Sequence, residues 1–95
     1  MVIETKHYIK TWPKFFEQTM LGLKTCEFRQ DDRNYCVCDD LVLQEYDPQT
    51  KKYTGREIDA IVSHVLHTQD CIKVPAGYCV MSIKVTNYRY NPKME

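Results

Sequence analysis

Gly22-Leu-Lys-Thr-Cys-Glu-Phe-Arg-Gln-Asp-Asp-Arg33 passes from a helix stop to a strand to a turn. Gly22 stands where a left-handed residue closes a helix. Leu23 to Gln30 then alternates with the period of a strand. Cys26 and Phe28 point one way; Thr25, Glu27 and Arg29 point the other. This pattern predicts an apolar face turned to the core and a charged face turned to water. Asp31-Asp-Arg-Asn34 is a polar turn. A strand that only fills a wall has no need of Lys24, Glu27 and Arg29 together.

Working outward from Gly22, the preceding segment reads as a short helix, Pro13 to Leu21. Pro13 suits the first turn, where an N–H is not required. Trp12, Phe16 and Met20 recur at helical spacing, and Phe15 widens the stripe. Val2 to Ile9 is β-branched and aromatic, which predicts a first strand. Downstream, Tyr35 to Asp40 is a tight link, and residues 41–66 read as a hairpin around Asp47-Pro-Gln-Thr-Lys51. Its second arm places Ile58, Ala60, Val62 and His64 on one face. Tyr78 to Val85 is the last strand, with Cys79, Met81, Ile83 and Val85 inward. Asn87 to Glu95 reads as a fraying, Tyr-rich tail, giving an ordered core of about 2–86 in a single domain, 1–95. Five short strands and one helix after the first predict an α+β, mostly antiparallel sheet bent into a small, partly closed barrel.

Ninety-five residues allow one modest core. Thirteen cations balance thirteen anions, which argues against tight, non-specific duplex binding. A small site for one nucleotide or an exposed single strand stays open. Six acids and one arginine lie between Asp31 and Asp47, so the remainder is basic. Tyrosine supplies seven rings, beside three Phe and one Trp. Five cysteines, an odd number, read as reduced thiols in a cytoplasmic protein. Cys36-Val-Cys38 lacks the spacing of a zinc ribbon, and small apolar fillers are the simpler reading, so no metal and no cofactor is expected; a site from Cys36, Cys38 and His64 or His67 is the alternative. No apolar run approaches the length of a membrane span.

Gly22-x-Lys24-x-x-Glu27-x-Arg29 resembles the signature of the ASCH domain, whose fold is similar to the PUA RNA-binding barrel. The wider set is closer to the small bacterial and phage DUF3850 branch. It comprises His7-Tyr-Ile9-Lys10-Thr-Trp-Pro13, Phe15-Phe16, Asp31-Asp32-Arg33, Val37-Cys38-Asp39, Leu43-Gln-Glu45-Tyr46, Tyr53-Thr54-Gly55-Arg56 and Gly77-Tyr78-Cys-Val-Met-Ser-Ile83. The resemblance covers His7 to Ile83. Asp31 replaces the usual Asn, and Cys38 replaces a Gly that normally serves a turn.

The resemblance implies a PUA-like barrel and a cleft between helix and barrel that binds RNA, single-stranded nucleic acid or a nucleotide. Lys24, Glu27 and Arg29 are the implied contacts, with Arg33, Trp12, His7 and Lys10 beside them. The chemistry is compatible: Lys24 and Arg29 donate to phosphate or base carbonyls, and Glu27 accepts from a base amino group or holds Arg29. Trp12, Tyr35 and Tyr53 offer stacking surfaces. Against this, Glu27 and Arg29 on one strand face are also an ordinary surface ion pair. Arg33, Arg56 and Asp39 read as turn locks, and His7 as a hydrogen-bonded core histidine. Two other functions remain. Some ASCH proteins are amidohydrolases of acylated cytidine, and Lys24 matches their lysine, but their threonine position holds Glu27. A protein-interaction module is the third reading, compatible with the neutral charge and the tyrosines.

Overall fold

A computed structural model describes residues 5–71 and 73–90 of the chain. The expected strand start at Val2–Glu4 and the end of the tail, 91–95, lie outside the described residues. Strand β1 (Lys6–Thr11) leads into helix α1 (Pro13–Met20), then β2 (Cys26–Gln30), β3 (Asp40–Asp47), β4 (Lys52–His67), a single 3-10 turn (Thr68–Asp70) and β5 (Tyr78–Tyr90). The five strands form one sheet in the order β1-β3-β4-β5-β2. Among the described residues only β1 and β3 run parallel; the other pairs are antiparallel. The α+β expectation holds, and the sheet curls into a half-barrel around one core.

Each local feature has a chemical cause. Trp12 is extended at the N-cap and Pro13 occupies the first turn of α1. Gly22, at φ +78°, ends the helix, as only a residue without a Cβ does cheaply. Phe16 and Thr19 are the buried residues of α1, and Phe16 joins the helix to the core. Ile9, Leu41, Leu43, Ile58, Ala60, Val62, Cys79, Met81 and Ile83 line the interior with Phe16 and Tyr35.

Two irregularities in the long β4–β5 pair bend the sheet. Opposite Val62 and His64 stand Ile83 and Ser82, so Ser63 is an extra residue on β4. Such a bulge turns the strand and reverses the side-chain alternation beyond it. His64 is therefore exposed, where strict alternation placed it beside Val62. On β5, Thr86 is the extra residue between Val85 and Asn87. The strand then continues, pairing Asn87–Tyr90 with Asp59–Arg56, so the expected tail is sheet as far as Tyr90.

Candidate functional site

β1 and β2 are the two ends of the sheet and have no backbone ladder between them. The edge of β1 is closed by side chains instead. Arg29 Nη2 donates to the Lys10 carbonyl at 3.0 Å, and Arg33 Nη1 donates to the Tyr8 carbonyl at 2.9 Å. These carbonyls lie two residues apart on one edge, where a strand otherwise leaves acceptors bare. Asp32–Arg33 belongs to the turn after β2, so the polar turn places Arg33 beyond the strand and over the seam.

Glu27 is the buried centre of this seam, only 4% exposed. The expected orientation of β2 is inverted here. Glu27 pairs directly with Met81, an interior residue, whereas Phe28 stands opposite Val80 and is exposed. Residues directly opposite in an antiparallel pair share a face. The charged face thus turns inward at the sheet's end, where no further strand supplies an apolar neighbour. Burying a carboxylate there requires partners. Lys24 Nζ donates to Glu27 Oε1 at 2.8 Å and Arg29 Nε to Oε2 at 3.2 Å. Lys24 also donates to the Cys26 carbonyl. One N–H of Lys24 and the Nη1 group of Arg29 have no partner among the described residues.

Those donors face a cleft of about 390 Å³ lined by Lys24, Glu27 and Arg29. Lys10, Thr11, Trp12, Phe15 and Phe28 complete it. Trp12 is 54% exposed, Phe15 41% and Phe28 63%. Three aromatic faces therefore rim two cations that share one buried carboxylate. A hollow of about 260 Å³, with Ile9, Gln30, Asp32, Arg33 and Tyr35 in its walls, adjoins it through Lys10 and Arg29.

A family model described as "Domain of unknown function (DUF3850)" matches residues 6–83, from β1 through the seam into β5. The chain belongs to the DUF3850 family. It is similar to an "Uncharacterized 12.9 kDa protein in GpA 3'region" of Escherichia phage P2, with 34% identity over 67 residues. That match covers 70% of this chain and 60% of the phage protein, so the chain spans less than two thirds of that relative's length.

Within this DUF3850 domain the seven sequence candidates divide. Lys24, Glu27, Arg29, Trp12 and Lys10 meet at the cleft, and Arg33 lies in the adjoining hollow. Lys10 contributes its carbonyl to Arg29, while its ammonium sits 4.1 Å over the Tyr46 ring. His7 is elsewhere. It is buried, donates from Nε2 to Asp39 Oδ2 at 2.9 Å and meets the Tyr35 ring edge-on. Asp39 also accepts from the Cys36 amide, so it orders its turn as expected. Of the other proposed stacking rings, Tyr35 is buried in the hollow wall, and burial pushes its phenol above the usual value, keeping the hydroxyl protonated. Tyr53 packs on Tyr46 at the hairpin. Phe28 and Phe15 are the rings that sequence reasoning sent to the core. An eight-residue helix buries one narrow stripe, already filled by Phe16 and Thr19, which leaves Phe15 and Trp12 to the cleft. Among the described residues no three His, Cys, Asp or Glu side chains gather as metal ligands, and no helix is long and apolar enough to cross a membrane.

Proposed function

We propose that this domain binds an unpaired nucleotide of RNA, or of another single strand, in the cleft between α1 and the sheet edge. The observation that carries the reading is the meeting of three exposed rings, Trp12, Phe15 and Phe28, with the Lys24–Glu27–Arg29 cluster in one cavity. Apolar residues exposed in this way cost solvation and contribute nothing to the core. Rings beside cations are what unpaired bases stack on. Lys24 and Arg29 are held in place by Glu27 before a ligand arrives, which lowers the ordering cost of binding. The ASCH and PUA-like resemblance points to the same cleft. The amidohydrolase reading gains nothing comparable: Glu27 occupies the hydroxyl position and Lys24 is already engaged by Glu27 and the Cys26 carbonyl.

The chain's only tryptophan sits at the cleft rim, which makes its fluorescence a direct reporter. Short single-stranded RNA and DNA oligonucleotides are expected to quench it, and Lys24→Ala to weaken the binding. With at most three cations engaged, the affinity should fall with salt at a log–log slope no steeper than about −2. Folded protein that binds neither RNA nor DNA in a salt-sensitive way removes the proposal.

A further inference from the structure

The hollow beside the cleft has its own chemistry. Arg33 spends Nη1 on the Tyr8 carbonyl, and its Nε and Nη2 have no partner among the described residues. That edge of a guanidinium is the fork that takes two oxygens of a phosphate. Arg29, shared by both cavities, serves Glu27 and Lys10, and its Nη1 has no partner among the described residues. Asp32 stands in the same wall, a carboxylate beside the two arginines. Across Arg29, Lys24 and Glu27 add one cation and one anion. The Lys10 ammonium adds one more positive charge, 4.1 Å over the Tyr46 ring.

We infer that the hollow is a phosphodiester subsite: a base stacks in the aromatic cleft while the linkage to its neighbour lies across Arg29 and Arg33. This rests on the nucleotide-binding reading above and specifies its ligand as an internal step of a strand. A diester carries one negative charge, borne by the two guanidiniums; a terminal phosphate carries nearly two and is opposed the more strongly by the Asp32 carboxylate. The shared wall of Lys10 and Arg29 makes cleft and hollow contiguous, as a base and its own phosphate require. Asp32 then acts as a selector, opposing doubly charged ends more than singly charged linkages.

The test uses Trp12 fluorescence with dinucleoside monophosphates of each base, their uncharged methylphosphonate-linked counterparts, and nucleoside 5′-monophosphates. The diester is expected to bind about tenfold or more tighter than the methylphosphonate, the range of charge-assisted hydrogen bonds. Arg33→Gln should collapse that ratio towards one, and Asp32→Asn should narrow the preference for diester over 5′-monophosphate. Circular dichroism establishes that both variants are folded. Equal binding of diester and methylphosphonate, with clear quenching by both, overturns the subsite and leaves the base-binding cleft standing. No quenching by any of these, nor by longer oligonucleotides, overturns the cleft and the subsite together.

Discussion

Glu27 and Cys38 show opposite ways in which one residue departs from its local rule. Glu27 obeys strand alternation but faces the core side, and the cations on either side of it in sequence make that burial tolerable. Alternation in the sequence reveals a period of two; which parity faces inward is decided by the neighbour, here Met81. Cys38 breaks a backbone rule. Its φ is +74°, a region that costs an L-residue about 1–2 kcal/mol. The turn fixes it there, because the Cys38 amide donates to the Val62 carbonyl at 2.7 Å while the Asp39 carboxylate accepts from the Cys36 amide. The resemblance to a family pattern with Gly at this place marked the position correctly. Its thiol is exposed, so the side chain contributes little. Cys38→Gly should raise stability by roughly 0.5–1 kcal/mol, the relief of strain less the added freedom of the unfolded chain. Urea denaturation measures it. Cys38→Ala, which keeps the Cβ, should give no gain; an equal gain would place the cause in the thiol.

At the scale of elements, Arg56 clips the hairpin to the helix. Glu45 on β3 is buried; Arg56 on β4 reaches its two oxygens from Nε at 2.9 Å and Nη2 at 2.8 Å, and the Thr54 hydroxyl donates at 2.6 Å. The guanidinium lies 5.0 Å from the Phe16 ring centre, and Glu17 of α1 stands 3.5 Å away. The Arg56 hydrogen bond holds Glu45 below its ordinary carboxyl value of 4.5, with Thr54 assisting and burial opposing. A carboxylate with a lowered folded pKa adds stability above its unfolded pKa, and loses it as pH falls through the folded one. Arg56→Gln should therefore destabilise at pH 7 by about 2–4 kcal/mol, leaving a buried carboxylate short of its cation. The gap from wild type should close as pH drops below 4.5. A gap constant from pH 7 downward would show that Arg56 acts through packing alone. Leu43-Gln-Glu45-Tyr46 and Tyr53-Thr54-Gly55-Arg56 were visible in the sequence as separate motifs. Their pairing was not, because a bulge between Gln44 and Tyr46 sets the register across the hairpin. The same physics hid His64: periodicity reads a strand well until one inserted residue, Ser63, reverses its parity.

The whole molecule depends on non-local pairings that no stretch of sequence encodes by itself. The helix, the hairpin and the last strand were legible because caps, turns and alternation are local signals. That β1 runs parallel to β3, and that β2 closes on β5, follows only once the sheet curls. The end of β5 is the clearest case. Asn87 to Tyr90 is polar and tyrosine-rich, with no alternation of apolar residues, and so read as a tail. In the fold, Tyr88 lies opposite Ile58 and donates its hydroxyl to the Met20 carbonyl, bridging sheet and helix. Arg89 lies opposite Glu57, bonds its carboxylate at 2.9 Å and also pairs with Asp59. Glu57 is buried; burial raises its pKa, but the bonds from Gln44 and Arg89 outweigh this and hold it below the usual carboxylate range. A chain ending at Thr86 loses this cation, one ladder partner of β4 and the Tyr88 bridge to α1 together. Its stability should fall by about 3 kcal/mol or more, a large share of what a small domain possesses. Arg89→Ala in the full chain isolates the ion-pair share and should cost about 1–3 kcal/mol. Amide exchange at Arg56 to Asp59 supplies the second readout: these protons should lose protection in the shortened chain before those of Leu41 to Leu43 do. A shortened chain with an unchanged urea midpoint and unchanged protection at Arg56 to Asp59 would mean that the last residues of β5 only lie against the sheet.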